Sequence, residues 1–254
     1  MMKKSKSYWI YPVYLVLLLV LILGWENAAN NPNFRLMLSS PSLIYTYFTG
    51  NISALLTATY ATLYESVMGL LFAVTISFGV MIICLYIPKL MEFVLPVMIT
   101  SQVIPLITLA PLFILIFGIG YSSKIMMAAL ISFFPIFINF ANGARLISKN
   151  IHELMYIYNA SKTQMIFRVY FPLSMPQIMA GLKVAATLSV IGAIVAEFNG
   201  TEIGLGKNLF LAAKRLEPEL MMSSLFLSAL LGGLLYGTIY FIEYLFGKWY
   251  LKFE

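Results

Sequence analysis

Six stretches of this chain run for about twenty residues or more with hardly a charge in them, which removes most folds from consideration. They cover residues 8–25, 57–86, 93–118, 125–145, 174–198 and 220–245. A bilayer core is crossed by ~20 mostly apolar residues in a helix. A membrane β-barrel would instead need strands of ~10 residues with alternating polarity, and no such alternation is present. Charged residues make up only 10% of the chain, against ~25% in soluble domains. The expectation is an all-α polytopic membrane protein: a single transmembrane domain over residues 1–254, with about six helices and no room for a soluble domain.

The N-terminal run follows a basic start and so resembles a signal peptide. It is long for an export signal, and no clear small-residue cleavage site follows it, so a retained first helix is expected. Lys and Arg placement then sets the orientation. With the N-terminus inside, ten basic residues face the cytoplasm: Lys3, Lys4, Lys6, Lys89, Arg145, Lys149, Lys162, Arg168, Lys248 and Lys252. Five face outward: Arg35, Lys124, Lys207, Lys214 and Arg215. This bias predicts that both termini are cytoplasmic. It also accounts for the net charge of +6 without a nucleic-acid partner.

The third run is too long to be one straight helix. Phe93–Ser123 would extend ~46 Å at 1.5 Å per residue, against a ~30 Å core. Pro96, Pro105 and Pro111 are expected to break it, and Gly118 and Gly120 to end it. Freed carbonyls at such breaks need protein or a water-filled cavity as partner. A kinked packing helix and a path-lining segment both fit. Ionisable groups inside spans are costly and point to function. Glu65 and Glu197 are the ones expected to act in transport or gating, with Gln102, Asn139 and Thr187 as further polar groups along a substrate path. Packing hydrogen bonds would explain those three equally well. Lys183 is expected to snorkel to the inner interface, and Glu243 to reach headgroups. Cys84, the single cysteine, and His152, the single histidine, supply no metal cluster, and no cofactor is expected.

One long polar interruption remains in the C-terminal part, residues 148–172. Asn150 with Glu153 reads as an N-cap and its reciprocal partner. Ile151, Leu154, Met155 and Tyr158 fall on one helical face. Asn159 suits a left-handed stop. Ser161 with Gln164 opens a second capped helix that runs to Pro172. Two short amphipathic helices joined by a turn are predicted, their apolar face fitting a partner's groove better than a lipid surface.

The spacing in this loop resembles that of type I ABC importer permeases. Their pattern is Glu-Ala-Ala, three residues, Gly, nine residues, Ile-x-Leu-Pro. Here Glu153-Leu154-Met155, three residues, Asn159 and nine residues lead to Val169-Tyr170-Phe171-Pro172. The alanines are enlarged and the glycine is replaced. SQVIPLITLAPLFILIFGIG (101–120), FFPIFIN (133–139), GLKVAATLSVIGAIVAEF (181–198) and GLG (204–206) are similar to the nitrate/sulfonate/taurine branch. Within it they look most like permeases for thiamine-pyrimidine precursors or riboflavin. The resemblance implies a subunit working by alternating access, paired with a second copy in a bacterial inner membrane. It also implies two ATP-binding subunits inside and a substrate-binding protein outside. Ile151–Asn159 would be the coupling helix: Glu153 caps and orients it, Leu154 and Met155 fill the ATPase groove, and Tyr158, Asn159, Ala160 and Ser161 complete the contact.

No phosphate-binding loop, zinc-protease motif or nucleophile elbow occurs. GIGYSSK (118–124) lacks the second glycine before its lysine. An enzyme is not expected, and ATP hydrolysis would sit on a separate subunit. A permease for sulfonate, taurine or nitrate-type anions is the alternative reading. An ion-coupled transporter would need paired intramembrane charges and inverted repeats, and six spans with no evident repeat argue against it; a membrane scaffold with no transport is the remaining reading.

Overall fold

The computed structural model describes residues 10–31, 39–198 and 201–250, leaving aside the side chains of 10–12, 15, 106 and 246–250. Lys3, Lys4, Lys6, Arg35 and Lys252 of the charge argument lie outside the described residues, as do residues 8–9 of the first apolar run and the Lys248 side chain.

Regular structure among the described residues is helical throughout. α1 (Ile10–Ala29) and the short α2 (Pro41–Gly50) lead into α3 (Ile52–Tyr86). α4 (Pro88–Ser101), a 3-10 turn (Leu106–Leu109) and α5 (Ala110–Phe117) follow. Next come α6 (Tyr121–Arg145), α7 (Lys149–Ile157) and α8 (Lys162–Met165). A π-helical turn (Ile166–Tyr170) joins α8 to α9 (Phe171–Glu197), and α10 (Leu205–Arg215) and α11 (Pro218–Tyr250) complete the order. Four helices among the described residues are long and apolar enough to cross a membrane: Ile52–Tyr86, Tyr121–Arg145, Lys162–Glu197 and Pro218–Leu245. Val16–Ala29 and Ile107–Phe117 are shorter apolar helices. The chain is an all-α polytopic membrane protein.

The third apolar run is broken, but not at every proline. Pro96 lies inside α4, and the helix ends only at Ser101. Pro105 takes an extended conformation ahead of the 3-10 turn, and Pro111 sits in the first turn of α5, where its missing N–H costs nothing. Gly118, with φ 82°, stops α5 in a conformation that favours glycine.

α3, α6 and α9 form the centre of the bundle, in contact through small residues. A Cβ on Gly69 of α3 would lie 2.5 Å from the Ala128 Cβ of α6, and one on Gly192 of α9 would lie 2.7 Å from the Ala128 Cα. Lipid is as apolar as leucine, so close packing and interhelical hydrogen bonds replace the hydrophobic drive between spans. Among such bonds, Ser77 donates to the Phe133 carbonyl and Ser132 to the Ala185 carbonyl, each at 3.1 Å. Because backbone faces backbone at Gly192, we expect Gly192→Leu to destabilise the bundle by about 1–3 kcal/mol. Gly79→Leu on α3, where the space is open, is expected to leave thermal melting in detergent unchanged.

The Lys183 ammonium meets the Glu243 carboxylate of α11 at 2.8 Å, both half-buried, an interhelical ion pair between two groups that the sequence treats separately. A double-mutant cycle on this pair is expected to give a coupling of about 0.5–2 kcal/mol, the range of polar contacts between membrane helices.

Candidate functional site

Two features stand at opposite ends of the three-helix centre. Along α3, Thr62 lies beside Glu197 and Leu205, while Tyr86 at its end meets the Thr163 hydroxyl with its own at 2.8 Å. One end therefore carries α10 and the other α7 and α8.

At the α7 end the loop holds its predicted hairpin with two corrections. The N-cap of α7 is Ser148, extended at φ −67° and ψ 152°, and its hydroxyl makes no capping bond. Asn150 is already in the first helical turn, so Glu153 has no cap to complete and is solvent-exposed. Asn159 takes the left-handed stop at φ 51°, and its neighbour Ala160 donates its N–H to the Met155 carbonyl at 3.0 Å. Ser161 and Gln164 form the full reciprocal capping box, at 3.2 and 2.9 Å. The second helix does not stop at Pro172. The π turn carries it on, with Phe171 N–H bonding to the Ile166 carbonyl, and Pro172 falls in the first turn of α9. One continuous helix, Lys162–Glu197, thus links the loop to the far end of the bundle.

The apolar face of α7 is split. Ile151 and Met155 turn partly toward the chain's own body. Leu154 (51% exposed), Ile157 (77%) and Tyr158 (75%) point away from it, with Tyr156 beside them at 87%. His152 is not simply in water, since its ring meets Tyr170 edge-on with centroids 5.6 Å apart.

At the α10 end three spans meet in a buried charge cluster. Glu65 of α3 is fully buried, and its carboxylate lies 3.2 Å from the Lys124 ammonium of α6. Glu197, the last residue of α9, is buried next to it. Thr62 donates to Glu197 at 2.6 Å and accepts from the Leu205 N–H at 2.9 Å. The Gly206 N–H donates to the other Glu197 oxygen. Gly204, the N-cap of α10, has no side chain to offer, so Thr62 of α3 and Glu197 of α9 satisfy the Leu205 and Gly206 amides from other helices. The glycines of the Gly-Leu-Gly segment follow from this: a Cβ on Gly204 would lie 2.3 Å from the Glu197 Cδ, and one on Gly206 would lie 2.8 Å from its Oε2. Lys124 also donates to Thr201 in the loop before α10.

Glu65 and Glu197 are therefore brought together, with Lys124 and Thr62 as partners that sequence reasoning did not assign. The Gly-Leu-Gly segment was the signal available. The other three predicted path residues stay apart from this cluster. Asn139 donates back to Pro135 within α6 at 2.8 Å, its Cβ near the site of Gly181 on α9. Thr187 donates to Val184 in its own helix at 2.8 Å. Gln102 is exposed at the break after α4.

The molecule is a helical membrane bundle with an apolar-faced hairpin at one end. The chain belongs to the family of binding-protein-dependent transport system inner membrane components, matched over residues 76–250. It is 30% identical over 235 residues to the formylaminopyrimidine transport permease protein ThiX of Halalkalibacterium halodurans, covering 92% of this chain and 94% of that one. It is 34% identical over 240 residues to the riboflavin transport system permease protein RibX of Chloroflexus aurantiacus, covering 94% and 89%. The putative aliphatic sulfonates transport permease protein SsuC of Escherichia coli is 34% identical over 146 residues, 58% of this chain and 56% of that one. This protein is a multi-pass permease subunit of an ABC importer in the plasma membrane. An ATP-binding subunit and a substrate-binding protein are the partners its family implies.

Proposed function

We propose that two copies of this permease enclose a path for a small organic solute and that ATP is hydrolysed on separate subunits seated against α7. The observation that carries the reading is the exposed face formed by Leu154, Ile157 and Tyr158 at one end of the three-helix centre. Ile151–Ser161 is the docking segment, held in shape by the Asn159 stop and the Ser161–Gln164 box. Both termini and this segment face the cytoplasm, and residues 1–254 act as one transmembrane domain of six crossings. The broken third run and the shorter apolar α1 supply the two crossings beyond the four long helices.

In this mechanism the ATP-binding subunits close on ATP, draw the two docking segments together and move the Lys162–Glu197 helix as a rod. The Glu65–Lys124–Glu197 cluster passes that motion to α10 at the outer side. Glu65 and Glu197 thus act through structure rather than as solute ligands, and Gln102 is the path residue with its polar group still open. Asn139 and Thr187 are assigned to helix packing.

For the solute we favour a thiamine pyrimidine precursor or riboflavin, because the relatives matched over nearly their whole length are named for formylaminopyrimidine and riboflavin. An aliphatic sulfonate is the second reading, favoured by the likeness to SsuC over a little more than half of each chain. Ligand titration of the partner substrate-binding protein decides between them. Tight binding of an aminopyrimidine or flavin supports the first reading, and preference for a sulfonate replaces it.

A further inference from the structure

At the α7 end, the last turns of α3 and α6, the first turns of α4 and α7 and the π turn border an open cavity of about 320 Å³. Its walls include Arg145 at the end of α6, Glu92 of α4, His152 of α7 and Tyr170, with Cys84 and Met91 among its apolar lining. Arg145 and Glu92 are opposite charges on one cavity, both solvent-exposed, and neither forms an ion pair among the described residues. The lining therefore includes a cation, an anion and two aromatic rings that meet edge to face.

We infer that this cavity is a binding site for a small zwitterion with an apolar or aromatic side chain, of the α-amino-acid type. A ligand carboxylate would meet the Arg145 guanidinium in charge-assisted hydrogen bonds, and its ammonium would meet Glu92. The ring would lie against His152 and Tyr170 over Met91. Such a mix of apolar walls and a few convergent polar groups is what small-molecule sites require. A simple anion would leave Glu92 facing its negative charge, and a simple cation would leave Arg145 opposed in the same way. Two of the wall residues belong to α7 and the π turn, so an occupied site ties the docking hairpin to the α3–α4 corner. That the site opens to the cytoplasm rests on the orientation proposed above; the binding itself does not.

The test is equilibrium dialysis of L-phenylalanine against the full chain in lipid nanodiscs, with no ATP-binding subunit present. Saturable binding is expected. Phenylacetate and 2-phenylethylamine, each lacking one charge, are expected to bind about tenfold more weakly, since each gives up one charge-assisted hydrogen bond. Arg145→Lys and Glu92→Gln, chosen to spare the fold, and Arg145→Ala and Glu92→Ala are each expected to weaken phenylalanine binding, the alanine variants by about tenfold or more. Absence of saturable binding to the unmodified chain overturns the proposal. So does binding that both alanine variants retain, or phenylacetate binding as tightly as phenylalanine. Because no ATPase subunit takes part, failure of the docking reading leaves this result standing, and the reverse also holds.

Discussion

Lys124→Met is expected to be the most damaging single substitution in the chain, lowering stability by about 3–5 kcal/mol. The reason is the composition of the cluster it leaves behind. Glu65 is fully buried and its one ion-pair partner among the described residues is Lys124, at 3.2 Å. Removing one member of a buried pair strands the other away from water, which costs far more than the pair itself contributes. For a chain of this size the loss corresponds to a melting point lower by about 10 °C. Lys124→Arg, which keeps the charge, is expected to lose much less. The double variant Lys124→Met with Glu65→Leu is expected to recover much of the loss, because Glu65 is then no longer left buried without its cation. Glu197 keeps its own bonds to Thr62 and the Gly206 amide in that background. Thermal melts of the four proteins in one detergent decide the point. A double variant no more stable than Lys124→Met would show that the pair is not the source of the cost.

The second large effect is expected at the docking hairpin. Leu154→Arg should weaken association with the ATP-binding subunit by more than tenfold while leaving the permease folded. Leu154 is half-exposed and turned away from the chain's body, so the substitution removes an apolar contact and forces a charge into the groove. Residues at the centre of such interfaces commonly cost 2 kcal/mol or more when altered. Met155→Arg tests docking less cleanly, since Met155 turns partly toward the chain's own body and its loss also strains the hairpin. Co-purification of the subunits, with melting of the permease alone as control, separates the two effects. Full association by a folded Leu154→Arg protein would move the docking face elsewhere.

What the sequence made legible is what local chemistry dictates. A run of twenty apolar residues predicts a span because bilayer thickness allows little else. Asn159 and the Ser161–Gln164 box were readable because each acts within three or four residues. The start of α7 was misplaced because Ser148 and Asn150 are both good caps two residues apart, and only the backbone distinguishes them. Pro172 reads as a stop, yet a π turn just before it absorbs the irregularity and the helix continues.

Long-range pairing was hidden. Lys183 and Glu243 are separated by 60 residues, and Thr62 and Glu197 by 135. A span's periodicity does not say which neighbour it will face. α10 was missed because a short, partly basic helix between two spans has no length signature. Its start becomes intelligible once Glu197 is seen occupying the space that side chains at Gly204 and Gly206 would fill. Two acids read as transport groups are therefore ones whose partners are a lysine, a threonine and a helix N-terminus.

The account's central claim is that the exposed face of α7 touches the ATP-binding subunit. Cys84 is the single cysteine and is buried, so a cysteine-free background is reached by one change, Cys84→Ser. Single cysteines placed on this background by Ile157→Cys and Tyr158→Cys, with Asn208→Cys at the α10 end as control, give the most direct measurement: short-span cross-linking to the ATP-binding subunit in membranes. The account predicts cross-links from positions 157 and 158, changing in yield between nucleotide-free and ATP-bound states, and none from 208. No cross-link from α7, or an equal one from position 208, would contradict it.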